Sequence, residues 1–367
     1  MKIAVYGIAL NEEAFAERFV AACRDADLIL VADTGSTDGT REKLAALGVD
    51  VRSVSIQPWR FDHARNAALD LLPDDVDICI SMDLDQVLAP GWRPLLLAAW
   101  ARGVNRAYYT HMYSRHAAGT EESFLDCRIH ARFGFRWRYP CHESVFPMGV
   151  EERAVILPAL RVEHFPDPNK PRTDYLPLLK LAAEENPSDE RSAHYLGREY
   201  YTLERFPEAA AEFERHLALP TGVITAERSA SMRYLAHCRE KLGDAEGALA
   251  LFRQACAETP MLRGTWVELS WAMFRRQVWP ECLAAAQRAM QMPGGNLVYG
   301  DETAYGVVAE DLVCLACWAL GRRDEALDYG RRALALSPGS PRIAGNVAEM
   351  ERLMGLAPPA QPAAGST

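Results

Sequence analysis

No stretch of this sequence stays apolar for the roughly 18–20 residues that a membrane-crossing helix needs, which argues against a helical span. The amino terminus is no exception. Met1-Lys2-Ile3-Ala4-Val5-Tyr6 turns quickly into Asn11-Glu12-Glu13, the pattern of a strand and turn rather than of a secretory leader. Positive charge is short as well: 40 Lys and Arg stand against 50 Asp and Glu, and a net charge of −10 argues against a broad nucleic-acid surface. The nine cysteines lack paired spacing, and Cys314-Leu315-Ala316-Cys317 has no second Cys/His pair nearby to complete a zinc site. Reduced thiols in a cytoplasmic protein are therefore expected. Neither a G-x-x-x-x-G-K-[ST] phosphate loop nor a G-x-S-x-G nucleophile elbow occurs.

What is present is an ordinary globular mixture, 49% hydrophobic and 25% charged, in a chain of 367 residues that is long enough for two domains. In the first half, apolar β-type runs at 2–9, 28–33, 51–56 and 78–83 alternate with amphipathic stretches near 12–25, 38–47 and 62–72. That alternation predicts βαβ units and a largely parallel sheet. Later strands at 107–114, 126–132 and 158–165, without long helices between them, predict a mixed edge.

After Pro166-Asp167-Pro168-Asn169-Lys170-Pro171 the chain reads as helical throughout. Small or compact residues Gly197, Ala236, Ser270 and Cys314 recur in a first helix, each followed 12 residues later by Ala209, Ala248, Cys282 and Ala326 in a second. Pro220, Pro260, Pro293 and Pro338 close the four units. The pattern resembles the tetratricopeptide repeat, whose paired helices touch at small residues; the alternative is a generic helical bundle. The expected division is an α/β domain at 1–168, a linker and connecting helix at 169–189, repeats at 190–340, and a terminal helix with a disordered tail at 341–367.

Two stretches carry the chemistry. Asp33-Thr34-Gly35-Ser36-Thr37-Asp38-Gly39-Thr40 and Asp83-Leu84-Asp85 each follow an apolar run, so their carboxylates fall at strand ends, where open α/β sheets bind ligands. A D-x-D there can hold a hard divalent cation together with substrate phosphates. Taken with Ala9-Leu10-Asn11-Glu12-Glu13 and Ala64-Arg65-Asn66, these motifs resemble the family 2 glycosyltransferases of the GT-A fold, and most closely the subgroup with a tetratricopeptide extension.

The resemblance implies an inverting, metal-dependent transfer of a sugar from a nucleotide-sugar, with UDP the expected nucleotide. Asn11, Glu12 and Asp33 would line the base and ribose pocket; the alternative for Asn11 and for Asp33 is a helix cap. Arg65 would meet the nucleotide or the first aspartate of the D-x-D, Asn66 would hold the loop, and a buried structural Arg–Asp pair is the alternative. Asp85 would bind Mn²⁺ or Mg²⁺ with His164, while Asp83 contacts ribose or a metal-bound water; strand alternation would point both aspartates to one side. Glu143 would be the base that deprotonates the acceptor hydroxyl or thiol, with His142 orienting it, contacting the sugar or acting as the base itself. Trp137 would stack on the sugar or serve the core, and Lys170 and Arg172 could close over the diphosphate.

The expected partners are the donor and a peptide, protein or glycan acceptor, with a homodimer through the repeats as a further possibility. The competing readings are an inactive nucleotide-binding scaffold and a nucleotidyltransferase.

Overall fold

The computed structural model describes residues 1–115, 120–167, 174–220, 225–292 and 306–356. Two compact units meet in sequence between Asn186 and Pro187. The amino-terminal unit is built on strands β1 (Ile3–Ala9), β2 (Leu28–Asp33), β3 (Asp50–Ser53), β4 (Ile78–Ser81), β5 (Gln86–Leu88), β6 (Arg106–Arg115), β7 (Thr120–Ala131), β8 (Phe135–Arg138), β9 (Ser144–Pro147) and β10 (Ala154–His164). Eight of them form one sheet in the order β3-β2-β1-β4-β7-β6-β10-β5, and β8 pairs with β9 apart from it. Strands β3, β2, β1 and β4 are parallel, as is β6 with β10; β7 runs antiparallel between its neighbours, and β5 caps the edge. This is the mixed, mostly parallel α/β sheet expected of the GT-A fold.

Period-two alternation explains how so short a sheet is buried on both sides. Ile3 and Val5 of β1 pack with Phe19, Leu44 and Trp92, while Ala4 and Tyr6 face the opposite way toward Ala68, Leu69 and Leu72. The helices supplying those residues are α1 (Ala16–Cys23), α2 (Thr40–Ala46), α3 (Phe61–Asp70) and α4 (Trp92–Ala99), followed later by α5 (Leu176–Glu185). Gly7 has a local reason. A Cβ there would collide with the Met82 carbonyl, so its absence lets the end of β4 lie close against β1.

One expectation is corrected at this point. β4 ends at Ser81, and Gln86 N–H donates to Asp83 O at 3.0 Å to close a turn. Asp83 and Asp85 therefore sit on the turn rather than the strand, and alternation does not fix where they point.

The carboxy-terminal unit is all helical: α6 (Glu190–Thr202), α7 (Phe206–Ala218), α8 (Thr225–Lys241), α9 (Ala245–Glu258), α10 (Arg263–Arg275), α11 (Trp279–Met290), α12 (Val308–Ala319), α13 (Arg323–Leu336) and α14 (Pro341–Leu353). All eight anchor residues of the repeat are buried. Gly197 abuts Phe213, which would clash with any side chain there, and Ser270 Oγ donates to the Cys282 carbonyl at 2.9 Å, joining the two anchors of the third unit. The last residues of the expected tail, 357–367, lie outside the described residues.

Candidate functional site

The loops after β1, β2 and β4 meet along one edge of the sheet. Asn11 has a positive φ of 57° and ties two of these loops together: its N–H donates to Ser36 Oγ at 2.9 Å and its Oδ1 accepts from Thr37 N–H at 2.8 Å. Glu12 N–H donates to Thr40 Oγ1 at 2.8 Å. Asp33 is only 2% exposed, and its carboxylate accepts from the N–H groups of Gly35 and Ser36 at 3.2 Å. It shapes the turn. Because α2 does not begin until Thr40, Asp33 is not a helix cap, and two accepted N–H bonds leave its carboxylate further acceptor capacity.

Arg65, one turn into α3 and buried, is the centre of the site. Its Nη2 donates to Asp83 Oδ1 at 2.7 Å and its Nε to Glu143 Oε1 at 2.5 Å, with the Glu143 side chain only 8% exposed. One guanidinium thus links the first carboxylate of the D-x-D to the expected base, while Arg65 Nη1 is buried without a partner. Asp83 has further company: Arg128 Nη1 donates to its Oδ2 at 2.9 Å and Gln86 Nε2 at 3.2 Å. Burial works against ionisation of Asp83, but Arg65 and Arg128 outweigh it and hold the carboxyl well below the usual range.

Arg128 was not among the residues the sequence singled out. Within the strand run Cys127-Arg128-Ile129 it has no local signature, and only the antiparallel pairing of β7 beside β4 delivers it to Asp83.

Of the two roles open to Trp137, the core one fits its surroundings. It is 2% exposed, its Nε1–H donates to Tyr6 Oη at 2.8 Å, and the Arg65 guanidinium lies 4.9 Å from its ring centroid. With its ring covered by a cation and its edge bonded into the core, it has no free face on which a sugar could stack. Asn66 holds the same segment, exchanging two hydrogen bonds with the Trp137 backbone at 2.9 and 3.0 Å. That is the loop-holding role rather than contact with a ligand. The left-handed backbone of Tyr139 (φ 80°) and His142 (φ 49°) then turns the chain so that Glu143 returns to Arg65. His142 is exposed, with its ring 5.1 Å from that of Tyr175. A cleft of about 420 Å³ shares Asn66 and Trp137 with this wall and is lined further by Arg60, His63, Arg138 and Tyr139.

The second aspartate goes elsewhere. β5 and β10 place His164 opposite Gln86, and Phe165 N–H donates to the Asp85 carbonyl at 2.9 Å. Asp85 Oδ2 thereby meets His164 Nε2 at 2.9 Å, while its buried Oδ1 has no hydrogen-bond partner. An orphaned carboxylate oxygen beside an imidazole fits a divalent cation. Among the described residues no group of three or more His, Cys, Asp or Glu converges on a metal, so further ligands would come from donor or water. His111 packs edge-on against His164 at 5.8 Å, and burial, with Arg128 and His164 nearby, pushes it down to about 4 against the pull of Asp126. Lys170 and Arg172 lie outside the described residues.

Residues 5–144 match the family model described as glycosyl transferase family 2, and residues 196–260 match a tetratricopeptide repeat model. No curated protein matches the chain. Among solved structures it is similar to the crystal structure of MamA, at 15% identity over 50% of this chain and 86% of that one, with a TM-score of 0.36. It is also similar to pilF of Pseudomonas aeruginosa, at 17% identity over 47% and 72% with a TM-score of 0.38. A third is a thermophilic TPR protein of Thermus thermophilus, at 19% identity over 48% and 88% with a TM-score of 0.33. Among the described residues no helix is long and apolar enough to cross a membrane.

Proposed function

The chain carries a family 2 glycosyltransferase domain followed by a tetratricopeptide-repeat region, and from that premise we propose that it is an inverting, metal-dependent enzyme using a UDP-sugar. The observation that supports this reading best is the continuous contact from Asp83 through Arg65 to Glu143, with Asp85, on the same turn as Asp83, meeting His164 from the end of β10. The acceptor hydroxyl or thiol attacks the anomeric carbon as the bond to the diphosphate breaks, and Glu143 takes the acceptor proton. Arg65 fixes that carboxylate through Nε, so its position is set before the acceptor arrives. Asp83, held by Arg65, Arg128 and Gln86, keeps the turn rigid for the donor ribose. Asp85 and His164 would hold Mn²⁺ or Mg²⁺, which when bound offsets charge on the departing diphosphate.

The repeats suit a peptide or protein acceptor, because helical repeat arrays present extended surfaces to such partners. The unpaired cysteine pattern suits a reducing, cytoplasmic setting.

The test is donor hydrolysis and transfer with UDP- and GDP-sugars in Mn²⁺. Glu143→Gln keeps the shape of the side chain but not its basicity, so donor binding should persist while transfer falls by a factor on the order of 10²–10⁴. Transfer near the wild-type rate would move the base elsewhere, with His142 next in line. A wild-type chain that neither binds nor cleaves any nucleotide-sugar would favour the inactive scaffold.

A further inference from the structure

Phe124 and Asp126 of β7 share a face by alternation; a bulge against β6 follows Asp126, so Arg128 joins their row by its contact with Asp126 rather than by alternation. The inner end of that row is anchored at the D-x-D turn by the 2.9 Å contact of Arg128 with Asp83. Asp126, in the middle, pairs with Arg128 Nε at 3.2 Å and accepts from the Tyr109 hydroxyl at 3.2 Å. Phe124 is the outer end. It lies opposite His111 in the β6–β7 ladder and stacks on that imidazole, with centroids 4.9 Å apart and planes at 18°. His111 in turn packs against His164, whose Nε2 meets Asp85.

One exposed aromatic residue says little on its own. This one is different in two respects: its inner face is braced by a buried imidazole, and two ring contacts connect it to the Asp85–His164 pair. His111 is 4% exposed, whereas Phe124 is 46% exposed. The ring is therefore held flat with its outer face open. Trp137, which the sequence offers to the sugar or to the core, has no such face.

We propose that Phe124 is a stacking platform for a pyranose ring at this site. The inference rests on the glycosyltransferase reading above. The C–H bonds on the apolar face of a pyranose are weakly positive and complement the negative face of the phenyl ring, which also shields them from water. Two sources share this chemistry: the sugar of the donor, and a sugar unit of a glycan acceptor. No bond is made or broken at Phe124; it orients the ring.

The experiment is calorimetry on the full chain in Mn²⁺ with UDP, a panel of UDP-sugars, and a panel of methyl pyranosides. The variants are Phe124→Ala, Phe124→Leu and Phe124→Tyr, each checked for an unchanged melting temperature. If the platform holds the donor sugar, Ala and Leu weaken UDP-sugar binding by about 3–10-fold, Tyr preserves it, and UDP alone is unaffected. If it holds an acceptor sugar, the same pattern appears with the methyl pyranosides and the UDP-sugars do not change.

Equal losses for UDP and UDP-sugar would assign Phe124 to the base and overturn the proposal. So would a leucine that binds as well as phenylalanine, since simple packing on His111 would explain that result. A wild-type chain that binds UDP but gains nothing from a sugar in either form also overturns the platform, while the transferase reading stands. A chain that binds no nucleotide at all removes both.

Discussion

Arg65 shows how much a single side chain can organise and how little of that a sequence discloses. Its spacing from Asn66 in Phe61-Asp62-His63-Ala64-Arg65-Asn66 marks a helical face, and the meeting with the first aspartate was legible. The simultaneous contact with Glu143, 78 positions later, depends on the β8–β9 hairpin and on two left-handed residues that no local pattern announces. Removing Arg65 would take this counter-charge from Glu143 and leave Asp83 with Arg128 alone; breaking a buried pair costs about 3–5 kcal/mol. Asp85 is the cleaner probe because no core packing depends on it. Asp85→Ala should abolish the Mn²⁺-dependent part of UDP affinity and leave the melting temperature unchanged; calorimetry that finds the same affinity with Mn²⁺ would take Asp85 out of the site. The pairing of Asp85 with His164 follows the resemblance to the family. Burial is what the sequence could not show, and it is burial that favours the core role of the two open to Trp137.

The repeat helices were legible at the level of elements because small anchors at fixed offsets mark where paired helices touch. The turns between paired helices repeat as faithfully. Each has a positive φ seven residues after its first anchor, at Glu204 (56°), Gly243 (88°), Gln277 (58°) and Gly321 (77°). Glycine accepts that backbone freely, whereas a Cβ makes it costly, so the first and third units carry strain that the second and fourth avoid. Glu204→Gly should therefore stabilise the chain by about 0.5–1 kcal/mol, measured by denaturant unfolding, and a destabilised variant would contradict it. Three of the ten strands were missed: β5, whose three residues are too few for alternation to register, and the paired β8 and β9.

The polar interior of α6–α8 was equally invisible. His194 Nδ1 meets Ser231 Oγ at 2.7 Å, and burial lowers both His194 and His216, the latter to about 4. Unfolded histidine titrates near 6.5, so the unfolded chain binds more protons below that pH. Stability should be complete above about pH 6.5 and decline as pH falls toward 4, with a shallower decline in His216→Gln. Thermal melts that stay flat from pH 7 to pH 5 would show that these imidazoles are not held neutral.

At the scale of the molecule, the two units divide the chemistry unevenly. Every described residue proposed to touch donor or metal lies before Asn186, and the helical unit contributes none of them. A chain ending at Asn186 should therefore bind UDP in Mn²⁺ as tightly as the full protein, because Asp83, Asp85, Arg65 and His164 are all held by elements within that unit. Its own two-sided core supports independent folding, since the sheet is covered by α1, α2 and α4 on one face and by α3 on the other. Transfer is a different matter. If the repeats select the proposed peptide or protein acceptor, the shortened chain should lose transfer to that acceptor while slow hydrolysis of the donor continues, because water needs no surface to position it. The two rates are separable in one assay that follows UDP release with and without acceptor. Full transfer by the shortened chain would show that the amino-terminal unit recognises its acceptor unaided, leaving the repeats to bind partners other than the substrate.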